Sequence, residues 1–392
     1  MKVGIFIGEI QPEQSGGGAT FQSSVLEELL KTKSQHNFYL FYQSEHDLFN
    51  DSANCTFINL AVKKVDSEGI FSKKTSLHFL DLNQEILKNK IELVWFLTPE
   101  YRQVEAPFVL TIWDLQHRLQ SFFPEVSLSG WTFENREEFY KNTVPKASFV
   151  VIGNKEGALQ VEKFYNFPTQ RIKTIPLPTP QFVFNETGDD KILDRNNLQK
   201  EGYLFYPAQF WPHKNHIRIL KALTILKKQN INLKIVFTGS DKGNENYIKE
   251  KASELGLIND VKFLGFVSRP ELVSLYKNAF ALTFASMFGP DNIPPLEAMA
   301  LSCPVICSNA AGMEEQLGSA ALFFERLDEN DLAQKILLLL KDKNLRNDLI
   351  EKGHKLAKSL GTDNYVKKIV EIVDGFAPIR EMWGSESKYI HT

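Results

Sequence analysis

Cysteine is scarce in this 392-residue chain, which holds only Cys55, Cys303 and Cys307. So odd and sparse a set excludes a disulfide-built scaffold and fits thiols kept reduced in a cytosol. Cys303 and Cys307 bracket one apolar run with no histidine nearby, so buried thiols are expected there rather than metal ligands. Long hydrophobic runs are also missing. None approaches the roughly 20 residues of a membrane span. The first run, MKVGIFIGEI, stops at Glu9 and reads as a strand rather than a signal peptide. Charge of neither sign is in excess. A net charge of -3 gives no field that would draw nucleic acid.

With 43% hydrophobic and 24% charged residues, the composition is that of a soluble globular protein. The length exceeds one ordinary core, so two domains of roughly 150–200 residues are expected. Short apolar runs alternate with helical spacing throughout, which predicts an α/β fold. Asn37–Tyr42, Thr56–Leu60, Leu93–Leu97 and Phe149–Ile152 read as strands, and Ser76–Leu87 reads as a helix. Residues 185–200 are polar and follow Pro176, Pro178 and Pro180, so they read as a linker. The strand-helix pattern then restarts.

Four loops at strand ends carry the chemistry. After the strand Val3–Ile7 comes Gly16-Gly17-Gly18, then the helical spacing of Phe21, Val25, Leu26 and Leu29. This opens a Rossmann-like unit, although three consecutive glycines are not the G-x-G-x-x-G dinucleotide fingerprint. The strand Phe108–Ile112 ends in Trp113-Asp114-Leu115-Gln116-His117-Arg118. On a helical turn Asp114 and His117 would share a face, although an isolated Asp-x-x-His is a frequent accident. The strand Tyr203–Tyr206 leads to Gln209 and to Pro212-His213-Lys214-Asn215, with a helix from His216. Lys214 can act as a point charge for a diphosphate, or simply be solvated.

The fourth loop is FGPDNIPPLEAMA, Phe288–Ala300. Gly289 and Pro290 signal a turn, and Pro294 and Pro295 sit where a helix's first turn tolerates them. A loop from a strand's carboxyl end into a helix start suits a phosphate, because free N–H groups and the helix dipole favour negative charge. Glu297, one turn inside, could hold sugar or ribose hydroxyls. The bland alternative is an ordinary connection with a solvated glutamate.

On these residues the chain resembles the glycosyltransferase 4 family of retaining, nucleotide-sugar-dependent enzymes. The family's donor motif, Glu-Gly-Phe-Gly-Leu-Pro-x-Leu-Glu-Ala, is matched by PPLEAMA, and Glu297 stands at its second glutamate. Gly289 stands at the first. The loop is similar to a branch of the family with Gly-Pro-x-Asn there, and either Asp291, if the loop turns differently, or another group would take the carboxylate's place. The resemblance implies that Gly17 and Gly18 approach the donor's phosphate and sugar. It places Trp113 at a family histidine, Asp114 at the family aspartate, and His117 as the replacement imidazole, with Arg118 available to an anionic group. Lys214 matches a family lysine on the diphosphate, while Gln209 replaces its arginine. Gly239, Phe266 and Val267 match backbone near the nucleotide, and Asp291, Asn292, Ile293 and Glu297 complete the donor set.

The resemblance therefore implies a GT-B fold, two Rossmann-like domains facing a cleft. Residues 1–184 would form the acceptor domain, 185–198 the linker and 199–364 the donor domain. Residues 365–392 would cross back to the first domain. The implied activity is transfer of a hexose-type sugar, mannose among them, to a glycan or lipid-linked oligosaccharide, with catalytic Asp114, His117 and Lys214. No cofactor and no metal are expected, and no nucleic acid partner. The implied setting is the cytoplasm, at the inner membrane face. Phe122-Phe123-Pro124 could touch that surface, with buried aromatics as the plainer reading. A nucleotide-sugar epimerase and a non-catalytic nucleotide-sugar or glycan-binding protein share the fold and stay open.

Overall fold

The computed structural model describes residues 1–10, 16–52, 54–66, 74–127 and 131–384. The first half is built on β1 (Lys2–Glu9), β2 (Asn37–Gln43) and β3 (Cys55–Asn59). A hairpin of β4 (Ala61–Asp66) and β5 (Lys74–Phe79) follows, then β6 (Leu93–Phe96), β7 (Phe108–Ile112), β8 (Phe149–Ile152) and β9 (Ile172–Thr174). Apart from the hairpin these strands form one parallel sheet in the order β3-β2-β1-β6-β7-β8-β9. The second half holds β10 (Tyr203–Pro207), β11 (Lys234–Thr238), β12 (Val261–Phe263), β13 (Ala281–Phe284), β14 (Val305–Ser308) and β15 (Ala321–Phe324). Its order is β12-β11-β10-β13-β14-β15, again parallel.

Every residue of β6, β7, β13 and β14 is buried, so helices cover both sheet faces. That is why these strands read as unbroken apolar runs rather than alternating ones. Strand order reverses between β1 and β6, and again between β10 and β13. Such reversals splay the loops at the strands' carboxyl ends and leave a crevice.

Two sequence readings change. Ser76–Leu87 is not one helix: residues through Phe79 pair antiparallel with β4, and the helix is Leu82–Asn89. Asp81 starts it by accepting the N–H groups of Asn83 and Gln84. The polar stretch 185–200 is not a free tether either. It contains the helical turn Lys191–Arg195, and Ile192 and Leu198 join the second core.

The chain passes between the halves twice, and the two passages lie side by side. Thr179 N–H donates to Leu360 O at 2.7 Å, its hydroxyl donates to Ala357 O at 2.7 Å, and Thr362 Oγ1 donates to Thr179 O at 3.2 Å. The helix Thr362–Arg380 then packs on the first half, with Tyr365, Ile369 and Phe376 in one core with Phe21 and Trp95. His36 and Asp374 pair at 2.9 Å across that contact. The Trp383 ring lies 6.3 Å from that of Phe376.

Candidate active site in the interdomain cleft

Between the halves lies a cavity of about 420 Å³, within the range of small-molecule sites, roughly 300–1,000 Å³. The loops after β1, β7, β10, β11 and β13 line it, all at strand carboxyl ends. Gly17, Gly18, Trp113 and Asp114 face it from the first half. Gln209, Lys214, Gly239, Phe266, Val267, Asp291, Asn292, Ile293 and Glu297 face it from the second.

Close approach explains several of the glycines. Gly18 is the second residue of the helix Gly17–Lys31, and a Cβ there would meet Trp113 at 3.0 Å. Gly239 has φ +136°, and a Cβ would press on the backbone of Ala208 and Gln209. Gln209 Oε1 accepts from Trp211 Nε1 at 3.0 Å, and a Cβ on Gly16 would lie 3.4 Å from Gln209 Nε2. The glycine loop and the β10 loop thus meet across the cleft.

Lys214 ends a short turn, Pro212–Lys214, and its ammonium lies 5.5 Å from the Phe284 ring centre. Burial lowers its pKa to about 8, opposed by the negative charges of Asp114 and Glu125. Beside it His213 stacks on Phe288 at 4.0 Å and bonds through Nδ1 to Glu125 Oε1 at 2.5 Å. Burial, with Lys214 adding to it, pushes His213 down to about 4, so the imidazole is neutral at neutral pH. Glu297 accepts from Tyr276 Oη at 2.7 Å, and burial raises its pKa to about 7 against that bond.

The structure moves His117 out of the site. Its side chain is fully buried, Nε2 bonds Glu137 Oε1 at 2.8 Å, and the ring stacks on Tyr140 at 5.6 Å. Asp114 Oδ1 accepts from Gln116 N–H, so the helical turn starts only at Gln116 and the two side chains share no face. Arg118 is not offered to a ligand anion either. Its Nε and Nη2 hold the Glu137 carboxylate at 2.6 Å each, which brings that carboxyl down to about 2. The imidazole at the cleft is His213, a residue whose only sequence signal was its place beside Lys214.

Asp291 lines the cleft with one oxygen engaged. Its Oδ2 accepts from Leu177 N–H at 2.6 Å, Oδ1 is buried with no hydrogen-bond partner among the described residues, and burial raises its pKa to about 8. Asn154 Nδ2 donates to Pro290 O and ties the same loop to the first half, and beside it Lys155 N–H donates to Glu315 of the helical turn Met313–Leu317 at 3.0 Å. Within the loop, Asn292 Nδ2 donates to Gly289 O at 2.6 Å, and its N–H donates to Gln316 Oε1. Phe122 is 73% exposed, whereas Phe123 packs edge-on against the cleft-lining Phe288, so the segment is part surface and part backing for the cleft wall. Among the described residues no group of three or more His, Cys, Asp or Glu is arranged to hold a metal.

Two facing parallel-sheet halves with this cleft make the fold GT-B. Comparison with solved structures agrees: sucrose-phosphate synthase from Thermosynechococcus elongatus superposes with a TM-score of 0.71 over 96% of this chain and 99% of that one, at 16% identity. Residues 189–356 match the family model for glycosyl transferases group 1. The O-antigen chain mannosyltransferase B of Escherichia coli is 24% identical over 232 residues, 58% of this chain and 61% of that protein. The O-antigen chain mannosyltransferase RfbU of Salmonella typhimurium is 31% identical over 169 residues, 43% of this chain and 44% of that protein. The chain thus spans less than two thirds of each of these relatives.

Proposed function

We propose that this chain is a retaining glycosyltransferase that moves a hexose, mannose before others, from a nucleoside-diphosphate sugar to a hydroxyl of a glycan or lipid-linked glycan. The observation that carries the reading is Lys214, a cation set in the same cavity as the glycine-rich helix start, with no ion pair among the described residues. Mannose is preferred because both relatives named above are mannosyltransferases.

In this reading the bond from the anomeric carbon to the diphosphate oxygen breaks while the acceptor oxygen bonds that carbon on the same face. The acceptor's proton passes to the leaving phosphate oxygen. Lys214 and the N–H groups around Gly17 and Gly18 take up the charge that develops there. Glu297 holds donor hydroxyls, Phe266 and Val267 border the base, and Asp114 stands at the reacting sugar. The cation role falls to Lys214, so the transfer is proposed to need no metal and to survive EDTA. The proposed setting is the cytoplasm, with the acceptor met at the membrane's inner face. No helix among the described residues is long and apolar enough to cross a membrane.

One observation favours a non-catalytic binding protein instead. By the resemblance Gly289 and Gln209 stand where a carboxylate and a second cation would otherwise be, and one oxygen of Asp291 is taken by Leu177 N–H. A thermal-shift screen with GDP-mannose and UDP-sugars, followed by anomeric analysis of any transfer product, separates the readings. Stabilisation by one donor and an α-linked product from an α-donor support the transferase. Donor binding with no product across an acceptor panel supports the binding protein, and no donor binding at all sinks both.

A further inference from the structure

Behind Lys214 the first half reaches across the cleft through Glu125. This residue sits in the helical turn Pro124–Ser127, and its side chain is 6% exposed. One oxygen, Oε1, accepts two bonds from His213: the backbone N–H at 2.9 Å and the ring Nδ1–H at 2.5 Å. The other oxygen, Oε2, is buried without a hydrogen-bond partner among the described residues. Such an arrangement is costly, because a buried carboxylate should have all its lone pairs engaged.

His213 is joined to both loops that the proposed donor site requires. Its chain neighbour is Lys214. Its carbonyl accepts from Met287 N–H at 2.8 Å, and its ring stacks at 4.0 Å on Phe288, the residue before Gly289. Phe123, two residues before Glu125, packs against both rings, at 6.3 Å from His213 and 5.6 Å from Phe288. A single carboxylate from the first half therefore bears on the lysine loop and the Gly-Pro-Asp-Asn loop together. Every one of its bonds is broken if the halves separate.

We infer that Glu125 is a positioning residue: by docking on His213 when the cleft closes, it sets Lys214 and the Phe288–Asn292 loop for the leaving diphosphate and the donor sugar. It touches neither ligand itself. The inference rests on the reading of the cleft as a donor site. In the proposed site Lys214, on the second half, holds the diphosphate first and the N–H groups around Gly17 and Gly18 engage as the halves close, so diphosphate affinity should depend little on Glu125. The transition state needs the closed, registered site.

The test compares Glu125→Ala and Glu125→Gln with the wild-type chain. Calorimetry with GDP and UDP gives affinity, and release of diphosphate from GDP-mannose or UDP-glucose, with and without acceptor glycans, gives turnover. Expected is diphosphate affinity within about threefold in both variants, as for loss of a contact made only at closure. Turnover at saturating donor should fall about 30-fold or more in Glu125→Ala. Glu125→Gln keeps an oxygen that can accept both His213 bonds, and should recover about tenfold of that loss. Wild-type turnover in Glu125→Ala overturns the inference alone. So does a loss matched by weaker diphosphate binding and unrelieved in Glu125→Gln, since that is general structural damage. A wild-type chain that binds no nucleotide, or binds donor without ever releasing diphosphate from it, overturns the transferase reading and this inference with it.

Discussion

Lys214 is half-buried at the cleft, and burial brings its pKa down to about 8. Below that pH it carries the charge a diphosphate needs, and above it the free site is increasingly neutral. Diphosphate affinity should therefore fall as the pH rises past about 8. Binding at pH 9 should draw in a proton, visible as a buffer-dependent enthalpy. Lys214→Ala should remove both effects and weaken affinity by about 10- to 100-fold, the loss of one charge-assisted contact. His117 makes the opposite case. Among the described residues its only hydrogen-bond partner is Glu137, deep in the first half, so His117→Ala should cost about 1–3 kcal/mol in urea unfolding. Diphosphate affinity and turnover should stay within twofold. The Asp-x-x-His spacing invited a catalytic reading because it presumed that helix begins at Asp114. The turn begins only at Gln116, with Asp114 outside it accepting the Gln116 N–H, and His117 is turned inward onto Glu137. Lys214 was legible because a lysine between a strand end and a helix start has few directions to take. Glu125 was not legible, since its partner lies 88 residues on and nothing local marks either residue.

The loop Phe288–Asn292 ties the second half to the first: Asp291 Oδ2 accepts from Leu177 N–H across the cleft. Gly312 keeps that loop in place: its φ is +90°, and a Cβ there would run into Pro290 O and Asn154 Nδ2. Gly312→Ala must then strain its own backbone or push the loop off the first half. It should cost about 1–3 kcal/mol of stability. Donor-sugar affinity should fall more than diphosphate affinity, which calorimetry with both ligands reads directly. Most elements were legible, because strands buried on both faces, such as Leu93–Phe96 and Ala281–Phe284, leave unbroken apolar runs. Ser76–Leu87 was not, because its leucines keep helical spacing across a strand and a turn. Asp81 was the available signal, an N-cap just before the true helix.

At the scale of the molecule, the halves are joined by two adjacent passages, the second of which leads into a last helix packed on the first half. Passages side by side at Thr179 and Gly361 make a joint about which the halves could rotate with little separation. The helix Thr362–Arg380 fixes one side of that joint. Tyr365, 3% exposed, meets Phe21 edge-on at 5.4 Å, and Phe21 lies on the helix whose glycine-rich start lines the cleft. The strands and glycine loop that frame this joint were readable from local pattern, but the joint itself depends on contacts between distant segments. Tyr365→Ala should open a cavity costing about 3–5 kcal/mol, the usual loss for a buried aromatic. Lys367→Ala on the same helix, at an exposed position, should stay within about 0.5 kcal/mol. The loss should fall on the first half, because Tyr365 belongs to its core and not to the second. In Tyr365→Ala, hydrogen exchange should therefore quicken in β1 and β6 before it does in β10 and β13. Equal quickening in both sheets would mean that the halves unfold as one unit, and that the last helix transmits stability between them rather than merely anchoring the joint.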